Sequence, residues 1–104
     1  LTGTAELRRL ADAVADMPAS NTQVLALEAL GRHYLSDPHI LDRLTHLFSQ
    51  TPSSSVQAAI AGILIRADLR SIATERLVRT LRDDRLEPAR EDDVVDALVR
   101  RLQP

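Results

Sequence analysis

The sequence predicts an all-α protein in which six helices form three stacked antiparallel hairpins. Two series of leucines recur with a period of 33 or 34 residues: Leu10, Leu44 and Leu77, and Leu30, Leu64 and Leu98. Each leucine of the first series follows an arginine, and each of the second lies in an Ala-rich helical pattern. A period of this size is typical of stacked supersecondary units. The β-branched residues also follow helical spacing rather than the alternation of strands.

The first hairpin is predicted from two runs of apolar residues at helical spacing. The first run covers residues 4–17 and ends before Pro18, which cannot continue a helix. The second covers residues 23–35, and Ser20 or Asn21 can cap its amino terminus. We expect Leu10 to face inward on the first of these helices.

The second hairpin contains the most apolar helix of the chain. Its first helix is predicted over residues 39–49, because Asp37 can cap it and Pro38 suits the first helical position. The Pro- and Ser-rich segment 51–55 is a loop that ends in a capping serine. The second helix, 56–67, has a wide apolar face and should be the most buried element.

The third hairpin is predicted from helices at residues 72–82 and 91–102, joined by the polar loop 83–89. We place the repeats at about 4–35, 38–67 and 71–102 within one domain of 1–104. Three pairs of an acid four residues before a base should each stabilise a helix by about 0.2–0.5 kcal/mol: Glu28/Arg32, Glu75/Arg79 and Asp96/Arg100. Gly62 lies inside a helix, where a close approach by a neighbouring helix would explain it.

Composition bounds the function. The chain has 104 residues, is 44% hydrophobic and has only two aromatic residues, Tyr34 and Phe48, so it offers no aromatic platform for bases or sugars. It carries 13 basic residues, all arginine, against 15 acidic ones, and this net charge of −2 argues against a nucleic-acid partner. The absence of cysteine excludes disulfides and thiolate metal sites.

The sequence leaves the compartment open. No apolar run reaches the roughly 18–20 residues that a membrane span needs, and no signal peptide is visible. Cytoplasm and periplasm are both compatible with the residues present. The chain begins with Leu1 rather than Met, so we expect it to be part of a larger protein. Its basic residues are all arginine, whose codons are GC-rich, so we expect a GC-rich and bacterial genome.

The middle hairpin resembles a HEAT repeat. It has a leucine-rich first helix (Ile40 to Leu44), a loop with Pro52, and Val56-Gln57 followed by an Ala-rich second helix, where the family usually has Val-Arg. The first hairpin is similar in its Ala29-Leu30-Gly31 ending, whereas the third matches poorly. The resemblance implies a short HEAT-like solenoid whose second helices line the contact surface, with Gln23 and Gln57 as exposed contact residues. Tetratricopeptide repeats share the period, but their aromatic positions are not satisfied.

No residue pattern predicts a catalytic, cofactor or metal site. A His39/Asp42/His46 cluster could share one helix face, but a polar face explains these residues as well. The acidic runs, Asp83-Asp84 and Glu91-Asp92-Asp93, suit a loop and a helix amino terminus. The serines of 53–55 suit a cap and lack a nucleophile motif. We therefore expect no enzyme and no cofactor.

The arginines of the fifth helix are the remaining signal for binding. Arg76, Arg79 and Arg82, and by extension Arg85, recur every three residues, and Arg66 lies upstream. This ridge could meet an acidic partner or a phosphate backbone, although neighbouring acids would make it an ordinary solvated face. The first functional hypothesis is a non-catalytic module that binds a protein or a neighbouring domain. The alternative is a nucleic-acid or phosphate binder that uses the Arg ridge.

Overall fold

The computed structural model describes residues 3–88 and 93–103, which form six α-helices and no strand. The prediction of an all-α fold is confirmed for these residues. The helices are α1 (Thr4–Ala15), α2 (Asn21–Leu30), α3 (Pro38–Gln50), α4 (Ser54–Leu64), α5 (Thr74–Asp83) and α6 (Val94–Leu102).

The helices stack as three hairpins in two layers. Within each hairpin the two helices pack together: α1 with α2, α3 with α4, and α5 with α6. Between hairpins, α3 packs between α1 and α5, while α4 packs between α2 and α6. The described helices of the first and third hairpins do not touch each other, so each of these hairpins packs only against the middle one. This is the arrangement that the two leucine series predict.

The leucine series form most of the shared core. Leu30, Leu64 and Leu98 are fully buried, as is Leu44 of the other series. Burying a leucine completely contributes about 1.5–3 kcal/mol relative to leaving it exposed. Leu10 is the exception at 42% exposure, and the expectation that it faces inward is wrong. Within the described residues α1 has a layer neighbour on one side only, whereas α3 has one on each side.

The second helices end earlier than their apolar pattern predicts. α2 ends at Leu30 and α4 at Leu64 rather than at residues 35 and 67. Both helices are followed directly by a turn with hydrogen bonds between residues three apart. The N–H of His33 donates to the Leu30 carbonyl, and that of Ala67 to the Leu64 carbonyl, both at 3.2 Å. A final turn of this kind satisfies carbonyls that the α-helix leaves open.

The linkers that follow the first and second hairpins lie side by side. The N–H of Asp68 donates to the Leu35 carbonyl at 2.9 Å, and the Ser71 hydroxyl donates to the Ser36 carbonyl at 3.1 Å. Hydrogen bonds from the side chain and backbone N–H of Arg70 lower the pKa of Asp68 to about 2. Successive hairpins are therefore joined through their linkers as well as through their helices.

Capping side chains set where most helices begin. Ser20, rather than Asn21, caps α2, and Asp37 caps α3 with Pro38 at the first helical position, as predicted. Ser53 caps α4, which begins two residues before the predicted start.

The third hairpin begins its helices later than its pattern predicts. α5 begins at Thr74 rather than at residue 72, and Ala73, which precedes it with an extended backbone, offers no side-chain cap. Asp93 caps α6, which begins at Val94, and the predicted contribution of Glu91 and Asp92 lies outside the described residues.

The close approach between second helices occurs at Gly31 and not at Gly62. A Cβ on Gly31 would lie 2.9 Å from the Cγ1 atom of Ile63 on α4, which is closer than real Cβ contacts. A Cβ on Gly62 would meet only a guanidinium nitrogen of Arg66, at 3.9 Å. The expectation that a neighbouring helix explains Gly62 is therefore wrong, and nothing in the structure explains a glycine there.

Candidate interaction surfaces

The two glutamines expected on the contact surface are buried. Gln23 is 1% exposed and Gln57 is 3% exposed, so the expectation that both are exposed is wrong. Each lies in the first turn of a second helix, and its amide turns back toward the end of the first helix. The carbonyls at a helix end have no partner within the helix, so an amide N–H₂ is well suited to them.

Gln57 joins the second hairpin to the third. Its Nε2 donates to the Phe48 carbonyl at 2.9 Å and to the Asp84 carbonyl at 2.8 Å. Its Oε1 accepts from the N–H of Leu86 at 2.9 Å. One buried side chain therefore satisfies the ends of α3 and α5 together. We call this set of three bonds the amide latch.

Gln23 makes the weaker version of the same contact. Its Nε2 donates to the carbonyls of Val14 and Met17, at 3.0 and 3.2 Å, and its Oε1 is buried without a partner. The Arg-Leu pairs of α3 and α5 are 33 residues apart, and by the same offset Ser53 occupies the position in the first junction that Leu86 has in the second. The N–H of Ser53 donates instead to the Thr51 hydroxyl at 3.2 Å. The first junction therefore lacks the bond that completes the amide latch in the second.

The arginines of α5 do not form one ridge. Residues three apart are offset by about 60° around a helix, so Arg76, Arg79 and Arg82 fan across about 120° of the surface. All three are exposed. Arg85 is not part of this fan, because its guanidinium pairs with Asp93 and donates to the Glu87 carbonyl at 2.7 Å. Burial raises the pKa of Asp93, but hydrogen bonds from Val95 N–H and Arg85 outweigh it, and the net pKa is lowered.

Charged side chains fill the junction between α1 and α3. Arg8 donates to both carboxylate oxygens of Asp37, at 2.9 and 2.6 Å. Arg43 reaches Asp12 at 3.3 Å and Asp16 at 2.6 Å. The hydrogen bonds from Arg8, together with the Ile40 N–H, lower the pKa of Asp37 against the effect of its partial burial. No local sequence pattern predicts this junction charge network, because its pairs are 27 to 31 residues apart.

The corresponding junction between α3 and α5 is an open groove of about 450 Å³. Arg76 and His46 line it together with Asp42, Thr45, Ser49, Ser71, Ile72, Ala73 and Leu77. Within the described residues, Arg76 takes part in no ion pair and in no side-chain hydrogen bond. We call this cavity the α3/α5 groove.

A second depression of about 440 Å³ lies where α2 and α4 end. It is lined by Arg66, Arg32, Tyr34, His33, Glu28 and Gly31. Tyr34 is 73% exposed, in contrast to the buried Phe48. Glu28 and Arg32 do not pair here, and neither do Glu75 and Arg79. Of the three predicted pairs the described residues contain only Asp96/Arg100, at 3.5 Å. The predicted binding residue Arg66 lines the depression at the end of the second-helix layer, whereas Arg76, Arg79 and Arg82 lie on α5 in the other layer.

The described residues hold no converging set of metal ligands. Within 3–88 and 93–103, no three histidine or carboxylate side chains come together as a metal would require. His39 instead lies 3.3 Å from Asp12 on α1, while His46 lines the α3/α5 groove.

Comparisons of the chain with known protein families, with curated proteins and with solved structures gave no match. Among the described helices, none has both the length and the apolar character to cross a bilayer.

Proposed function

We propose that this chain is a non-catalytic scaffold module of HEAT-like repeats that binds a protein segment or a neighbouring domain. The observation that carries the proposal is the stacking of three hairpins through neighbour-only contacts in two layers. Stacked repeats of this kind expose an extended surface that partners can follow. The resemblance of the middle hairpin to a HEAT repeat also supports the proposal. It implies that the second helices lie together on one side, and α2, α4 and α6 form one layer.

The second-helix layer offers the surface for such a partner. Leu25 on α2 is 65% exposed, although it is a large apolar residue. On α4 the exposed positions Ser55 and Ala58 carry small side chains, so they leave room for a partner to approach the helix. Since Gln23 and Gln57 are buried, they would shape this surface by fixing the helices rather than by touching a partner.

Site-specific photo-crosslinking in cells tests the proposal. A photoreactive amino acid replaces Leu25 or Ala58 in the second-helix layer, within the full-length protein, and Arg79 in the other layer serves as the comparison. We expect crosslinks from Leu25 and Ala58 to one protein segment, and we expect excess unlabelled chain to compete for them. The proposal would be contradicted if neither Leu25 nor Ala58 gave a crosslink, if only Arg79 did, or if the unlabelled chain did not reduce the crosslinks.

The alternative is a nucleic-acid or phosphate binder, and the exposure of Arg76, Arg79 and Arg82 is the observation that favours it. Phosphate contacts release counterions, so binding would weaken by roughly an order of magnitude or more for a few-fold rise in salt. A mobility-shift assay at low salt distinguishes the two. We expect no shifted complex, and a complex lost steeply with salt would favour the alternative.

A further inference from the structure

The α3/α5 groove exists because α5 lacks the first turn that α3 has, when the two helices are aligned on their matching leucines. The Arg-Leu pairs Arg43-Leu44 and Arg76-Leu77 occupy matching positions in the two helices. α3 begins six residues before its leucine, at Pro38, whereas α5 begins three residues before its own, at Thr74. The missing first turn leaves space beside α3 that the corresponding turn of α3 fills beside α1.

The charges at this junction also differ from those of the first junction. Arg43 is held by two carboxylates of α1, Asp12 and Asp16. With the 34-residue offset, His46 stands on α3 where Asp12 stands on α1. Arg76 thus has the position of Arg43 without its carboxylates, and the α3/α5 groove lies where they would be.

The surrounding groups agree with an anionic occupant. Ala73 gives α5 no side-chain cap, whereas Asp37 caps α3. The hydroxyls of Thr45, Ser49 and Ser71 donate to backbone carbonyls, so Arg76 and His46 are the principal side-chain donors left in the groove.

We propose that the α3/α5 groove binds a carboxylate side chain from an acidic segment of a partner protein, with Arg76 as the main contact and His46 as the second. The incoming carboxylate takes the place that Asp12 and Asp16 hold at the first junction. This inference goes beyond the proposed scaffold function, because the groove lies in the layer of α3 and α5, apart from the partner surface of α2 and α4. A charge-assisted bond between guanidinium and carboxylate is among the stronger side-chain contacts.

A carboxylate fits better than a nucleic-acid backbone for two reasons. Asp42 lines the same groove, so a polyanion that runs along it would meet a like charge. The chain as a whole also carries a net charge of −2, which opposes the approach of a long polyanion. A single carboxylate brings one negative charge into the groove, whereas a phosphate backbone brings a row of them.

Heteronuclear NMR on the isotope-labelled chain tests this proposal at low salt, with an end-blocked glycine pentapeptide that carries one central glutamate as the probe. We expect saturable shifts confined to groove amides such as those of Ser49 and Ser71. Arg76→Gln should weaken binding about ten-fold. Arg79→Gln is the matched control: it removes the same charge from the same helix outside the groove, and it should leave the affinity within about two-fold.

A substitution that fills the groove from within provides the second arm. His46→Asp places a carboxylate where the first junction has Asp12, so it should pair with Arg76 and abolish peptide binding. His46→Asn, its uncharged control, should weaken binding only modestly. Circular dichroism of each variant confirms that the fold persists.

Four results would overturn the inference: no localised shifts at millimolar peptide, equal losses in Arg76→Gln and Arg79→Gln, full binding by His46→Asp, or tighter binding of inorganic phosphate or a thymidine oligonucleotide at the same amides. Any of these removes the acidic-segment partner but leaves the scaffold proposal standing, since that proposal depends on crosslinks from Leu25 and Ala58.

Discussion

Alanine substitution at Gly31 and at Gly62 should change stability in opposite directions. Both residues have right-handed helical backbone angles or lie inside a helix, so alanine strains neither backbone. At Gly31 the added methyl would sit 2.9 Å from the Cγ1 atom of Ile63, a buried side chain with little room to move. Overpacking of this kind costs about 1–3 kcal/mol, and the entropy gained by removing a glycine offsets only about 0.4–1 kcal/mol. We therefore expect Gly31→Ala to lower the free energy of unfolding by about 1–2 kcal/mol.

Gly62→Ala is the matched control, because its methyl meets only a flexible arginine at 3.9 Å. Inside a helix, alanine is favoured over glycine by about 0.8–1 kcal/mol, so this variant should be more stable. Urea denaturation followed by far-UV circular dichroism measures both, and an unchanged slope with denaturant shows that compactness is unaltered. The reasoning is refuted if Gly31→Ala is as stable as the parent chain, or if both variants move in the same direction.

Two further predictions concern the buried amides and the acid response. Gln57→Met should lower the free energy of unfolding by about 2–4 kcal/mol, because three backbone groups lose their partner. Gln23→Met should lower it by about half as much. Equal losses in urea titrations of the two variants would contradict the amide latch. The folded-state pKa of Asp37 lies below its ordinary value of 3.8, so its contribution is complete above about pH 5 and is lost as the pH falls through the folded pKa. Asp37→Asn keeps a good cap but removes the charge, so stability measured between about pH 5 and 2 should fall less steeply than in the parent chain.

The repeat pattern predicts the core well because burial follows helical spacing. Leu30, Leu64 and Leu98 lie 34 residues apart and are all fully buried. The sequence also predicts the start of α3, with Asp37 as its cap and Pro38 at its first position, since a capping side chain acts within a few residues of sequence. Local signals of this kind do not depend on how distant parts of the chain come together.

The buried glutamines could not be placed by the same reasoning. A glutamine in the first turn of a helix reads as a solvent-facing residue, and its acceptors here are carbonyls at the ends of other helices. One signal was present, since Gln23 and Gln57 each follow a proline, Pro18 or Pro52, by five residues. A polar residue repeated in register with the core leucines is therefore a candidate for a structural contact between helices.

The groove also depends on a feature that apolar spacing does not encode. The apolar pattern over residues 72–82 extends the helix to Ile72, whereas the helix begins at Thr74 after an extended Ala73. The open space follows from that late start. The lack of an ion pair for Arg76 among residues 3–88 and 93–103 follows from the residues of α3, where His46 stands at the position of Asp12. Charge matching at the first junction likewise became visible only when α1 and α3 were placed side by side.

The two junctions between hairpins share one apolar core but differ in the polar contacts that accompany it. The first depends on ionised groups at the surface, such as Arg8 with Asp37, whose attraction dissolved salt weakens within about 10 Å. The second depends on Gln57, a neutral group hidden from ions. Added salt should therefore weaken the first junction and leave the second unchanged. Hydrogen exchange at rising ionic strength should show faster exchange of the α1 amides, while the α6 amides keep their rate.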